Sequence, residues 1–164
     1  MSRLSRNSEE SQDAPDDVAN AHELALRLLT RREHGSGELV RKLQQRGILR
    51  EQAQEALAAL SEQGWQSDAR FAEQFARDHA ARGDGPLKIR AALQQRGVRE
   101  SEINTALREL DVDWLASARE VRRKRFGACV PQTPAENMRQ QRYLMTRGFD
   151  GSVARQALRH ADDD

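Results

Sequence analysis

Apolar residues recur at helical spacing from Ala21 nearly to the end of the chain, and one short pattern comes round three times. Leu39-Val40-Arg41-Lys42-Leu43-Gln44-Gln45-Arg46-Gly47-Ile48 returns as Lys88-Ile89-Arg90-Ala91-Ala92-Leu93-Gln94-Gln95-Arg96-Gly97-Val98. A looser copy runs from Met138 through Leu144 to Arg147-Gly148-Phe149. The Arg-Gly pairs lie 50 and 51 residues apart, and Leu57, Leu107 and Leu158 each follow their glycine by ten residues, behind an alanine. Each copy therefore predicts helix, stop, helix.

The stop has a definite geometry. Glycine suits the left-handed position just past a helix end, because it carries no Cβ to clash there. Counting from Gly47 in a Schellman cap, Leu43 and Ile48 meet; the same count pairs Leu93 with Val98 and Leu144 with Phe149. Helix starts agree: Thr133-Pro134-Ala135-Glu136 reads as a capping box with proline at the first helical position. Gly85-Pro86 and Gly35-Ser36-Gly37 interrupt the chain before the other two copies, and Asp150 caps the last helix.

A further helix precedes each pair. Ala21–Glu33 carries Leu24, Leu28 and Leu29 on one face, and Asp68–Arg82 carries Phe71, Phe75 and Ala76. Trp114–Phe126 carries Leu115, Ala118 and Val121, with Arg122 beside them. The expected fold is all-α: three tandem three-helix repeats, 20–62, 65–110 and 112–161, stacked into an elongated, curved rod. A repeat of about 45 residues has little core of its own, so neighbours share apolar surface. Trp65 and Trp114 are expected to pack where repeats meet.

Composition changes this picture little. Hydrophobic residues make up 37% of the 164, charged residues 32% and aromatics 4%, which suits thin apolar stripes between helices. Residues 1–19 hold almost nothing to bury and read as a disordered acidic tail. Residues 1–20 carry five acids against two bases, and Asp162, Asp163 and Asp164 close the chain; the remaining 25 bases and 18 acids leave residues 21–161 at +7. A basic body suits a partner rich in phosphate or carboxylate.

Candidate chemistry is sparse, and no catalytic residue, metal site or cofactor is expected. His22, His34, His79 and His160 are scattered without ligand spacing, and no glycine-rich phosphate loop is present. Cys129 is the sole cysteine and reads as an inert loop thiol. No apolar run reaches membrane-spanning length and no secretory signal precedes the first helix, so the expected location is the cytoplasm, away from membranes. What stands above background is basic clustering. Arg122, Arg123, Lys124 and Arg125 follow one another at a helix end, beyond what complementing the helix dipole needs. Arg41, Lys42, Arg46, Lys88, Arg90 and Arg96 recur on the repeated second helix, opposite its Leu/Ile stripe.

The stretch Gly64-Trp65-Gln66-Ser67-Asp68-Ala69-Arg70-Phe71-Ala72 with Phe75, followed by Gly85-Pro86-Leu87-Lys88-Ile89-Arg90, Leu93 and Arg96-Gly97-Val98, resembles the bacterial RecX regulatory family. The resemblance covers about residues 20–161. The third copy departs from it, with Gln140 where Leu39 and Ile89 place apolar side chains. The resemblance implies a monomeric, cytoplasmic, non-enzymatic modulator of the RecA recombinase that lies in the groove of the RecA–single-stranded DNA filament. Inhibition of filament extension, ATPase activity, strand exchange and SOS co-protease activation follows from it, with only weak direct contact to DNA. The alternative is a helical repeat protein that binds nucleic acid directly, without RecA, in helix-turn-helix fashion.

Overall fold

The computed structural model describes residues 14–159, which form nine α-helices and no strand. The chain divides into two compact units, one ending at Phe71 and the other starting at Ala72. The first holds α1 (Ala14–Leu29), α2 (Ser36–Gln44), α3 (Arg50–Glu62) and the start of α4 (Asp68–Ala81). The second holds the rest of α4, then α5 (Pro86–Gln95), α6 (Glu100–Glu109), α7 (Trp114–Phe126), α8 (Pro134–Thr146) and α9 (Gly151–Ala157).

The three Arg-Gly stops close as Schellman caps. Gly47, Gly97 and Gly148 sit at φ 87°, 80° and 94°. The amides of Ile48, Val98 and Phe149 donate to the carbonyls of Leu43, Leu93 and Leu144 at 3.2, 3.2 and 3.1 Å. All six of these side chains are buried. Two more stops use the same bonding. Trp65 N donates to Leu60 O at 2.9 Å behind Gly64, and Asp84 N donates to His79 O at 3.0 Å behind Gly83.

In the first unit a core of Ala21, Ala25, Leu43, Ile48, Ala53, Ala56 and Leu60 is flanked by Val18, Leu24, Leu26 and Leu29. The centre of the α1 face is thus a pair of alanines four residues apart, which lets helices approach closely, and the leucines lie to its sides. The same spacing recurs in α4, where Ala72 and Ala76 are fully buried. Helix α1 starts at Ala14, inside the stretch expected to be disordered. Asp17 accepts a hydrogen bond from Gln52 Nε2 on α3 at 3.1 Å and Val18 packs on the core, so tertiary partners extend the helix into polar sequence. The remainder of that stretch and the three C-terminal aspartates lie outside the described residues. Trp114 packs against the core of the third copy, whereas Trp65 is 54% exposed.

Within the second unit, the C-terminal end of α8 caps the N-terminus of α5. Gly85 N donates to Arg147 O at 2.7 Å and Leu87 N to Gly148 O at 3.0 Å, which satisfies amides that no side chain caps. The approach leaves no room for side chains. A Cβ on Gly85 would lie 2.4 Å from the Gly148 carbonyl, and one on Gly148 would lie 2.4 Å from Lys88 Cβ. In the first unit the matching start, α2, is capped by Asp68, whose carboxylate accepts from Ser36 N and Ser36 Oγ at 2.7 Å each.

Candidate partner-binding surface

The run Arg122–Arg125 does not act as one patch. Arg122 falls on the face that α7 turns to its core, and it is only 5% exposed. Counted from the N-cap, Arg122 occupies the place of Ala76 in α4. Its guanidinium donates to Cys129 O at 2.9 Å, Ala128 O at 3.1 Å and Gln140 Oε1 at 3.5 Å. Gln140 is buried too. The third copy has therefore exchanged an alanine and an aliphatic residue for an Arg–Gln pair, and Arg122, expected at the partner surface, is a structural residue.

The neighbours of Arg122 point outward. Arg123 and Lys124 reach Glu120, at 2.8 and 3.5 Å, and the hydrogen bonds from Arg123 hold the Glu120 carboxyl below the usual carboxylate range. Arg125 is exposed, with its guanidinium 5.8 Å from the Phe126 ring, and has no carboxylate partner among the described residues.

The bases of α2 and α5 divide similarly. Lys42 lies in a half-buried network: Nζ is 3.0 Å from Glu38 Oε1 and 3.0 Å from His34 Nε2. An ammonium only donates, so Nε2 accepts and Nδ1–H donates to Arg32 O at 2.9 Å; His34 is held neutral. Burial is the main cause that lowers its pKa, and the charges of Arg32 and Lys42 add to it. Lys88 pairs with buried Asp84 at 2.7 Å, and His79 and Arg147 approach the same carboxylate at 2.7 and 3.3 Å. Burial alone would raise the Asp84 pKa; hydrogen bonds from Lys88 and His79, with the charges of Lys88 and Arg147, bring it below the usual value. Arg90 pairs with Glu100. Arg96 donates to Ala92 O at 2.8 Å and stacks over Phe75 at 4.8 Å. Only Arg41 and Arg46 of this set are exposed and without a carboxylate partner among the described residues.

Arg139 and Arg142 on α8 are among the other exposed arginines in that state, and neither belongs to the expected set. Arg142 lies between Met138 and Met145, which are 62% and 51% exposed. The legible signal was positional. Three residues before each Arg-Gly glycine stand Gln44, Gln94 and Met145, and only the third copy puts an apolar side chain there.

Comparison with known proteins fits this architecture. The three domain models of RecX match in order: the first three-helix domain over residues 21–60, the second over 67–107 and the third over 111–158. The Regulatory protein RecX of Halorhodospira halophila (strain DSM 244 / SL1) is 46% identical over 140 residues, 85% of this chain and 87% of that protein. The one from Stenotrophomonas maltophilia (strain R551-3) is also 46% identical over 140 residues, 85% and 86% of the two chains. Among solved structures, that of RecX from Lactobacillus salivarius superposes with a TM-score of 0.73 at 19% identity, covering 87% of this chain and 95% of that one. A crystal structure of a regulatory protein RecX gives 0.74 at 23% identity, covering 93% and 78%.

Proposed function

We propose that this chain, which belongs to the RecX family, is a regulatory protein that binds RecA and its filament on single-stranded DNA and restrains recombinase activity. The observation that carries the reading is the match of all three RecX domains in order across residues 21–158, beside relatives that bear the name regulatory protein. The exposed, uncommitted bases Arg41, Arg46 and Arg125 supply its electrostatic contact, and Arg123 and Lys124 join after exchanging Glu120 for an outside partner. Each contact is weak alone. Several contacts on one chain add through effective concentration when the partner is itself repetitive, as a filament is. Residues 20–62, 65–110 and 112–161 act as the three repeats, on a monomer working in the cytoplasm.

Sedimentation of the protein with RecA filaments on single-stranded DNA, beside the same DNA without RecA, tests this. Co-sedimentation that depends on RecA and falls with salt is expected. Binding of equal strength to bare DNA would favour the direct nucleic-acid reader instead.

A further inference from the structure

From α8 we infer that the face bearing Met138, Arg142 and Met145 is the surface that seats on a RecA protomer, against a segment carrying carboxylates beside apolar side chains; this rests on the function proposed above. Positions 138, 142 and 145 fall on one side of a helix, and Arg139 lies at its edge. The opposite side is the one the fold uses, with Gln140 and Leu144 buried. Two concavities open along the outer face, both lined wholly by α8 side chains, with Met138, Arg142 and Thr146 common to the two.

The composition of the face decides what covers it. Met138 and Met145 leave more than half their surface in water, on a helix where the earlier copies keep glutamine at the second position. Methionine is unbranched and polarizable, so it conforms to an apolar partner of loosely fixed shape. Arg142 and Arg139 stand between and beside the two sulfurs with no carboxylate from the described residues, so the complement they lack is acidic. A single strand of DNA would also bring negative charge, but it needs open ring faces on which bases stack. The rings near this patch are Tyr143, half-buried at the lining of one concavity, and Phe126 beside it. Phe126 is flanked by Arg139 at 5.4 Å and Arg125 at 5.8 Å, and Tyr143 meets it edge-on at 5.3 Å while half-buried. Two exposed methionines with bare arginines between and beside them, and no fully exposed ring, match a protein surface better than a stacked strand: an acidic amphipathic helix or strand edge.

Two variants test the assignment, Met138→Gln/Met145→Gln and Arg139→Glu/Arg142→Glu, each checked for native helicity and an unchanged unfolding midpoint. Binding is read as the anisotropy of the labelled full chain titrated with RecA filaments, and separately with single-stranded DNA alone. Each variant is expected to lose about tenfold or more in affinity for the filament, as removal of central interface anchors does. Affinity for DNA alone should stay at the wild-type level in the methionine variant. If the wild type binds filaments and the methionine variant binds them equally well, the face is not the RecA contact. Equal losses on DNA alone and on filaments would make it a nucleic-acid surface and overturn the inference too. A wild type that binds no filament contradicts the function proposed above, before either variant is compared.

Discussion

Arg122 and Gln140 form a buried polar pair, Nη1 to Oε1 at 3.5 Å, at the place where the second copy puts Ala76 and Ile89. Removing the guanidinium alone vacates volume and leaves Gln140 and two carbonyls without their donor. Arg122→Ala should cost about 2–3 kcal/mol in urea unfolding. Arg122→Ala/Gln140→Ile, which copies the second repeat, should cost clearly less than the sum of its single changes. Additive losses would show that the two side chains are energetically independent.

Arg125 has no such duty. Its replacement by alanine should leave unfolding unchanged within about 0.5 kcal/mol, while filament binding weakens. A quadruple alanine change over 122–125 would mix the two effects, because Arg122 belongs to the core of the third copy. A measurable loss of stability in Arg125→Ala would place it in the fold instead.

Gly85 and Gly47 separate two reasons for glycine. At Gly47 a Cβ meets nothing within 4 Å, and only the positive φ opposes it, so Gly47→Ala should cost about 1–2 kcal/mol. At Gly85 the backbone of Gly148 stands in the way, and the α5–α8 joint has to open. Gly85→Ala should lower the unfolding midpoint further than Gly47→Ala; the reverse order would contradict the joint.

His34 makes the first unit sensitive to mild acid. Burial depresses its pKa in the folded chain below the value near 6.5 of the unfolded one. Stability from the neutral ring is therefore complete above about pH 6.5 and declines as the pH falls toward the folded pKa. Asp84 behaves as a lowered carboxylate: its contribution is present above about pH 4 and lost as the pH falls through the folded value. Unfolding of His34→Gln should lose most of the slope between pH 7 and pH 5 that the wild type shows. An unchanged slope would assign it elsewhere.

Local rules made much of this fold legible. The Leu43–Ile48 cap and its two counterparts follow from glycine stereochemistry over six residues, and Asp150 caps α9 through Ser152 N and Val153 N as its side chain dictates. Thr133 also caps as expected, although Glu136 reaches back to Gln132 N in place of Thr133 N. What depends on partners distant in sequence was not legible. Asp84 sits at a joint that brings in Arg147, and Gln66, Asp68 and Arg70 of the family motif hold the α2 start and the Gly64 turn. Arg122 looked basic and accessible because composition counts charge without direction. Its register with Ala25 and Ala76, both buried, is what places it toward the core.

Steady-state ATP hydrolysis by RecA on single-stranded DNA, titrated with this protein at low and high salt, bears most directly on the central claim. Hydrolysis should fall as the protein is added, more salt should relieve the inhibition, and Arg41→Ala/Arg46→Ala/Arg125→Ala should need a higher concentration for the same effect. Unaltered hydrolysis at every ratio, with the protein folded by its helical signal and cooperative unfolding, would contradict a regulator of RecA.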